Sequence, residues 1–159
     1  MPRVTFNIDT SLSRERVMSM LTDFSPSRSD VWPMLAPELY EVYRVEATSA
    51  EVKEGSIIPT RIWERDHYEW SADRVRWTVQ ESNYCTAGSY VEVTVRPKPG
   101  GASQLQVQWN RKGVGLKGKI LTALVALTRG AIIRRKVFER ALDRALRQCR
   151  NGSPDFGAG

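Results

Sequence analysis

Residues 74–96 read RVRWTVQESNYCTAGSYVEVTVR, and their alternation of apolar and polar side chains is the strongest indication of the fold. Val75, Trp77 and Val79 alternate with polar residues, and residues 89–96 repeat the pattern with three valines. Alternation of apolar and polar side chains over several residues is typical of a strand with one buried face. Two such strands in succession, joined by a short connection, predict an antiparallel sheet with one face in water.

The same period of two extends outward in both directions. Alternating apolar residues from Val4 to Ile8 predict a strand at the start of the chain. Further strands are predicted by the same alternation over residues 39–47, 56–68 and 105–109. Residues 53–55, KEG, are interpreted as a turn. Pro59 predicts an edge position or a bulge, because proline cannot donate to a sheet ladder.

The apolar spacing becomes that of a helix in two places. After the first strand, residues 12–23 carry an apolar stripe, and Pro26 can open a second, short helix. Near the other end, residues 117–147 predict one long helix that follows a glycine-rich hinge. Its first half, at 120–127, is apolar nearly all round, its second half is amphipathic, and Gly130 predicts a kink.

This order of elements predicts an α+β protein. We expect a curved six- or seven-stranded antiparallel sheet wrapped around the long C-terminal helix, with two short helices after the first strand. Such a sheet cannot close tightly on one helix, so a cavity is expected between them, and cavities of this kind bind small ligands. Residues 1–150 are expected to form a single domain and residues 151–159 a flexible tail.

The composition is that of an ordinary globular protein. The chain has 159 residues, of which 41% are hydrophobic and 26% charged, which is enough for a sizeable core. Its two cysteines, Cys85 and Cys149, have no spacing that suggests a disulfide framework or a metal site. No signal peptide is expected, and the longest apolar stretch, at 120–127, is too short to span a bilayer. A reducing, cytoplasmic location is therefore expected.

The net charge of +6 is concentrated near the C-terminus. Residues 134–150 contain seven arginines and lysines against Glu139 and Asp143. The main interpretation is the solvated face of an amphipathic helix. Nucleic acid is not an expected partner, because a nucleic-acid groove has aromatic residues among its cations and this stretch has only Phe138. Peripheral contact of the basic C-terminal helix with an anionic membrane, or with an acidic partner, stays open.

Polar side chains continue the apolar face of two predicted strands. If Trp77 lies inward, strict alternation places Glu81 and Asn83 inward too, and Trp109 likewise leads to Arg111. A buried charge must be paired or solvated, so one interpretation puts these residues at the rim of the sheet, in water or in a structural Glu–Arg pair. The other interpretation makes them polar anchors for a mostly apolar ligand.

Residues 63–70, WERDHYEW, hold the densest mixture of aromatic and ionisable side chains. Trp63, Glu64 and Tyr68 are candidates for ligand contact. His67 is the only histidine and takes the strand face opposite Glu64, so pairing with a carboxylate of a neighbouring strand stays open. No spacing of ligands predicts a metal site, and no cofactor is expected.

The predicted alternation along each strand also specifies which apolar residues face one shared interior. The residues expected to line it are Val75, Trp77, Val93, Val107, Trp109, Ile120, Leu124 and Leu127. In a fold with a cavity, the same residues serve as core and as pocket wall. Trp77, Trp109 and Leu124 are therefore further candidates for ligand contact.

The order of elements and the local motifs resemble the START-like, helix-grip superfamily, in particular its bacterial polyketide cyclase/dehydrase-like (SRPBCC) proteins. The resemblance covers about residues 3–147. It rests on the segments VTFNIDTSLSRERVMSMLTDF, VWPMLAPELYEVYRVEATSAEVKEGS, WERDHYEW, RVRWTVQESNY, GSYVEVTVRP and QVQWNRKGVGLKGKI. It implies a hydrophobic cavity between the sheet and the C-terminal helix. It transfers no catalytic residue, because the superfamily shares no catalytic motif.

Three functions are compatible with this expectation. The first is binding or transport of a hydrophobic small molecule, such as a lipid, a polyketide or an isoprenoid-like compound. The alternative is a cyclase- or dehydratase-type enzyme that holds such a molecule in one reactive conformer. Its candidates for proton transfer or carbonyl polarisation are Glu64, Tyr68, Glu81, Asn83 and Arg111. The third is a membrane-associated or protein-binding module that uses the helix at 117–136, and the oligomeric state is left open.

Overall fold

A computed structural model describes residues 3–152 of the protein, most of which belong to one sheet and the helices that cover it. The strands are β1 (Arg3–Thr10), β2 (Glu41–Val45), β3 (Ser49–Ser56), β4 (Ile62–Trp70), β5 (Arg74–Ser82), β6 (Tyr90–Pro97) and β7 (Ser103–Asn110). The helices are α1 (Arg14–Leu21), α2 (Arg28–Val31), α3 (Gly115–Leu127), α4 (Ala131–Ile133) and α5 (Glu139–Arg150). A π-helical turn, Arg134–Phe138, joins the last two helices. Residues 153–159, most of the predicted tail, lie outside the described part of the chain.

The seven strands follow the order β1-β7-β6-β5-β4-β3-β2, and every neighbouring pair is antiparallel. Trp77 of β5 pairs with Val91 of β6, which pairs with Trp109 of β7, which in turn pairs with Val4 of β1. The two tryptophans therefore lie on the same face of the sheet, as the alternation predicts. The α+β class, the seven-stranded antiparallel sheet and the short helices after β1 are confirmed.

The first helix covers the inner face of the sheet. Ser13 Oγ accepts a hydrogen bond from the Arg16 amide and so caps the start of α1. The helix then buries Val17, Met20 and Leu21, and it contacts β5 and β6. Each fully buried aliphatic side chain of this kind contributes roughly 1.5–3 kcal/mol to folding. The apolar stripe of the sequence is therefore the face that holds α1 against the sheet.

The predicted turn at residues 53–55 is wrong, since β3 runs through these residues. A Cβ at Gly55 would lie 2.5 Å from the Ile62 carbonyl oxygen and 2.9 Å from the nearest atom of Leu39. Glycine is present because the packing is close at this point in the strand, and not because the chain turns. The connection between β3 and β4 lies instead at residues 57–61.

The predicted long C-terminal helix is divided into separate helices. α3 ends at Leu127, and Arg129 and Gly130 adopt left-handed backbone conformations with φ of 51° and 79°. A Cβ at residue 130 would lie 2.6 Å from Phe6 and 2.7 Å from Val4, which requires glycine. The sequence predicts a kink at this point, whereas the structure has a complete break, after which α4, the π-helical turn and α5 follow.

Small residues form the side of α3 that packs against the protein. Its buried residues are Gly118, Thr122 and Val125. Gly118 lies directly against the Tyr84 carbonyl, which leaves no room for a larger residue. Because the small residues face inward, the large apolar residues face outward. The prediction that Ile120 and Leu127 line the interior is therefore wrong, and these residues are 57% and 83% exposed.

Candidate ligand cavity

A cavity of about 560 Å³ lies between the inner face of the sheet and the helices that cover it. Residues of β3 to β7 form one wall, and residues of α3 and of the segment from α4 to α5 form the opposite wall. Most lining side chains are apolar or aromatic, among them Leu21, Trp32, Val91, Leu121 and Val125. A mostly apolar cavity with a few polar groups is the usual form of a small-molecule site.

Seven of the nine residues that the sequence nominates for ligand contact line this cavity. They are Trp63, Glu64, Tyr68, Trp77, Trp109, Arg111 and Leu124. Leu124 lies on the flank of α3, between its buried side and its exposed side, and is 45% exposed. Three of the valines expected in the same interior, Val75, Val93 and Val107, are fully buried in the core and do not form part of the cavity wall.

Glu81 lies on the outer face of the sheet, so the prediction that it faces inward is wrong. The pairing of β4 with β5 shifts by one residue between Arg65–Glu81 and Asp66–Val79, which leaves Gln80 as a bulge. One extra residue reverses the side-chain alternation beyond it. Glu81 is exposed, and it borders a polar concavity on the outer face together with Arg65.

Asn83 does not line the cavity either. Its Oδ1 accepts a hydrogen bond from the Trp63 amide at 2.9 Å, and its Nδ2 donates to the Arg61 carbonyl at 3.2 Å. The side-chain amide therefore extends the pairing of β4 and β5 beyond the end of the ladder. This role is structural, and it helps to fix Trp63 in the cavity wall.

Glu64, Arg111 and Tyr84 form a cluster in the cavity wall, named here the Glu64 cluster. Arg111 Nη2 donates to Glu64 Oε1 at 2.7 Å, and Arg111 Nη1 donates to Glu64 Oε2. The Tyr84 hydroxyl donates to Glu64 Oε2 at 2.7 Å and accepts from Arg111 Nη1 at 2.7 Å. A bidentate pair of this kind fixes the geometry of both groups. The sequence leaves open a structural pair of Glu81 with Arg111 at the rim of the sheet, whereas the structure pairs Arg111 with the buried Glu64.

The Glu64 cluster keeps its carboxyl group ionised. Burial alone would raise the pKa of Glu64, but the charge of Arg111 and the hydrogen bonds from Arg111 and Tyr84 hold this pKa below its usual value. Burial raises the pKa of the Tyr84 hydroxyl well above its usual value; the charge of Arg111 opposes this rise and that of Glu64 adds to it. The cluster therefore carries one negative and one positive charge and a protonated hydroxyl, and it is neutral as a whole.

A second cluster in the wall of the same cavity consists of Arg28, Glu54 and Tyr68. Arg28 Nε donates to Glu54 Oε1 at 2.7 Å, and the Tyr68 hydroxyl donates to Glu54 Oε2 at 2.8 Å. Arg28 Nη1 also donates to the Asp23 carbonyl at 2.8 Å, and the guanidinium lies 4.8 Å from the centre of the Phe24 ring. Both arginines buried at the cavity are thus matched by a carboxylate.

Three members of these clusters were not predicted from the sequence. They are Arg28, Glu54 and Tyr84. No local pattern indicates the first, because Phe24 lies outside the short helix α2 that begins at Arg28, and only the folded chain brings the guanidinium to the Phe24 ring. The second follows Val52 on the inward face of β3, but the interpretation of residues 53–55 as a turn concealed this alternation. The third follows the end of β5, where alternation no longer specifies a direction.

Asp66 is a fully buried acid two residues from Glu64 on β4. Neither carboxyl oxygen has a hydrogen-bond partner within residues 3–152. Burial raises the pKa of Asp66 well above its usual value, and the negative charge of Glu64 raises it further. Both effects favour the protonated form of Asp66, which avoids the large cost of a buried, unpaired charge.

His67 lies away from the cavity. Its Nδ1 is 2.5 Å from Oε1 of Glu51, the residue that pairs with it across β3 and β4. The cross-strand pair that the sequence leaves open is therefore present. Among the described side chains, no group of three His, Cys, Asp or Glu is placed to hold a metal ion. None of the helices between residues 3 and 152 has the length and hydropathy needed to cross a membrane.

No protein-family model and no curated protein sequence matches the chain, but solved structures do. The Zhui aromatase/cyclase from Streptomyces sp. R1128 has a TM-score of 0.76 and 12% identity, over 96% of this chain and 98% of that one. A START superfamily protein from Mycobacterium smegmatis has a TM-score of 0.66 and 14% identity, over 91% and 93% of the two chains. Human STARD10 has a TM-score of 0.69 and 8% identity, over 93% of this chain and 64% of its own.

These likenesses identify the architecture as the START-like helix grip. The resemblance that the sequence motifs indicate is thereby confirmed at the level of the fold. Because folds of this kind carry different functions, the function has to be argued from the cavity and its residues.

Proposed function

We propose that this protein binds a hydrophobic small molecule in the cavity between the sheet and the helices. The composition of the wall supports this most, because about 560 Å³ of space is lined mainly by apolar and aromatic side chains. Small-molecule sites have volumes of roughly 300–1,000 Å³. The structural likeness to a START superfamily protein and to an aromatase/cyclase supports a ligand of lipid or polyketide type.

The ligand that suits this wall is uncharged. Arg28 pairs with Glu54 and Arg111 pairs with Glu64, so both buried cations are already neutralised. A carboxylate or phosphate in the interior beside these pairs would lack a cation of its own, because the other cations of the wall, Lys136 and Arg140, are exposed to solvent. An unpaired charge away from water is costly. A ring-bearing molecule with carbonyl or phenol oxygens fits better, since the wall is rich in tryptophan.

Tryptophan fluorescence tests this proposal, since four tryptophans line the cavity, namely Trp32, Trp63, Trp77 and Trp109. Titration with 1-hydroxyanthraquinone, which is uncharged near neutral pH, should quench the fluorescence saturably. Oleate, an anionic chain, should bind at least about tenfold more weakly. Trp77→Leu removes a wall residue and should weaken binding of 1-hydroxyanthraquinone about tenfold, or about 1.4 kcal/mol.

Trp70→Leu is the matched control, because Trp70 packs on Phe24 and is not part of the cavity wall. It should leave the affinity for 1-hydroxyanthraquinone within about twofold of wild type. Equal weakening by both substitutions would show that binding follows general stability. A lack of saturable quenching by either probe would contradict the proposal.

A second candidate function is ring closure of a bound poly-ketone, and the Glu64 cluster favours it. The Arg111 guanidinium and the Tyr84 hydroxyl lie in the cavity wall, where hydrogen-bond donors can polarise a carbonyl. The hydroxyl donates its one proton to Glu64 in this structure, so it would act on a bound carbonyl by rotating away from Glu64. Glu64, whose lowered pKa makes it a weak base, orients these donors. The apolar wall would hold a flexible chain in one conformer.

Turnover of a linear poly-β-keto thioester distinguishes the two functions. If the protein is a cyclase, an aromatic product should appear faster with the protein than without it, as followed by absorbance. Tyr84→Phe keeps the ring but removes the hydroxyl, so it should abolish this acceleration while 1-hydroxyanthraquinone still binds within about twofold. No acceleration by the wild-type protein would leave ligand binding as the function. The cytoplasmic location, the lack of a cofactor and the lack of a nucleic-acid partner stay predictions.

A further inference from the structure

One side of α3 exposes large apolar side chains. Leu116, Ile120 and Leu127 are 79%, 57% and 83% exposed. At about 100° per residue, they fall within about 40° of one another around the helix axis. They lie on the side opposite the buried Gly118 and Val125. These three residues are named here the α3 stripe.

A second apolar segment lies beside the α3 stripe. The loop between β3 and β4 contains Ile57 and Ile58, which are 48% and 68% exposed. Lys117 Nζ donates a hydrogen bond to the carbonyl of Arg61 in the same loop at 2.7 Å, which ties the loop to the start of α3. The loop and the helix therefore present one extended apolar surface, of a kind that marks interaction sites.

The surroundings of this surface are strongly basic. Between Arg111 and Glu139 the chain has seven lysines and arginines and no aspartate or glutamate. They are Lys112, Lys117, Lys119, Arg129, Arg134, Arg135 and Lys136. Lys117 and Lys119 flank the α3 stripe on its two sides. Within the described residues, only Arg134 of the seven forms an ion pair, with Glu139 at 3.6 Å.

We propose that the α3 stripe and the loop at 57–61 dock this protein on an anionic lipid membrane. The apolar side chains enter the boundary between head groups and acyl chains, and the surrounding cations contact anionic head groups. A second copy of the chain fits this surface less well. Two such surfaces packed together would bring like charges into contact, because residues 112–138 contain no acid to pair with them.

This docking places the cavity beside the lipid. Leu121 and Val125 line the cavity from the other side of α3, and Ile58 of the docking loop lines it as well. A hydrophobic ligand therefore passes between membrane and cavity without crossing bulk water. Passage of a ligand rests on the proposed function, whereas the docking itself does not.

Vesicle sedimentation tests the docking with the intact protein and no added ligand. Phosphatidylcholine vesicles with about 30% phosphatidylglycerol should bind the protein at least about tenfold more strongly than phosphatidylcholine alone, and about 0.5 M salt should remove most of this difference. The double substitution Leu116→Ser and Leu127→Ser should lower binding to the anionic vesicles at least about tenfold. Neither leucine lines the cavity, so binding of 1-hydroxyanthraquinone should be unchanged.

Val45→Ser is the matched control, since Val45 is an apolar residue of β2 that is 53% exposed. It should leave vesicle binding within about twofold of wild type. The proposal is overturned if anionic vesicles do not bind the protein, or if the control loses as much binding as the double variant. It is also overturned if ultracentrifugation shows a dimer that the double substitution dissociates, because the surface then belongs to a second copy. Vesicle binding without any binding of 1-hydroxyanthraquinone supports the docking and contradicts the proposed ligand, so the two proposals fail separately.

Discussion

Glu64 and Asp66 lie two residues apart on the inner side of β4, and their surroundings shift their pKa values in opposite directions. Arg111 and Tyr84 hydrogen-bond to Glu64 and keep it ionised. Burial and the nearby charge of Glu64 raise the pKa of Asp66 and so favour its protonated form. The environment of each carboxyl group, and not its chemical type, therefore sets the direction of its pKa shift.

The difference in free energy of unfolding between Asp66→Asn and wild type should therefore shift in favour of the variant as pH rises. The pKa of Asp66 is raised on folding, so its favourable contribution is complete below the unfolded pKa and is lost as pH rises toward the folded one. The loss amounts to about 1.4 kcal/mol for each unit by which folding raises the pKa. Asparagine imitates the protonated acid and does not titrate. Urea denaturation from about pH 4 to about pH 8 should show the advantage of the variant growing with pH.

Glu64→Gln is the control with the opposite sign. Folding lowers the pKa of Glu64, so its contribution is present at neutral pH and is lost as pH falls through the folded pKa. The substitution leaves Arg111 without its partner and should cost about 3–5 kcal/mol at neutral pH. A difference between Asp66→Asn and wild type that stays constant with pH would show that Asp66 is not protonated in the folded protein.

The break at Gly130 lets α3 and α5 contact the rest of the protein in different ways. α5 buries two alanines and a leucine, whereas α3 buries a glycine, a threonine and a valine. On the backbone at the break, a side chain at residue 130 would collide with Phe6 and Val4 of β1, so that only glycine fits there. Packing against the edge of the sheet therefore sets the position of the break.

Gly130→Ala should lower the free energy of unfolding by more than about 2 kcal/mol. A residue with a Cβ loses roughly 1–2 kcal/mol in the left-handed conformation that Gly130 adopts. The new Cβ would also collide with Phe6 and Val4. Gly100 has the same conformation, with φ of 80°, but open space around it, so Gly100→Ala should cost only the conformational part. Urea midpoints of the two variants measure the difference, and equal losses would rule out packing as the reason for glycine at 130.

Across the protein, the features that the sequence predicts well are those that depend on residues close together in the chain. The shared face of Trp77 and Trp109 follows from alternation within single strands. The position of Glu81 could not be predicted in this way, because the bulge at Gln80 exists only in the pairing of β5 with β4. Residues 120–127 are apolar nearly all round, so their pattern specifies a helix but not which side is buried.

The two clusters at the cavity likewise could not be predicted from patterns of neighbouring residues. Glu64 and Arg111 are 47 residues apart, and Arg28 and Glu54 are 26 apart. The sequence nominates the first pair as candidate residues but not as partners, because only the assembled sheet brings them together. It does not nominate the second pair, since a local turn signal concealed the strand that carries Glu54.

Because α3 packs on the rest of the protein through small residues, its inner and outer sides differ in how freely their sequence can change. Core positions such as Val125 have little tolerance, because any change there alters both packing and the cavity wall. Leu116 and Leu127 contribute little to the core, so substitutions there leave the fold intact. The outer surface of α3 can therefore diverge between related proteins, or be redesigned, while the interior stays the same.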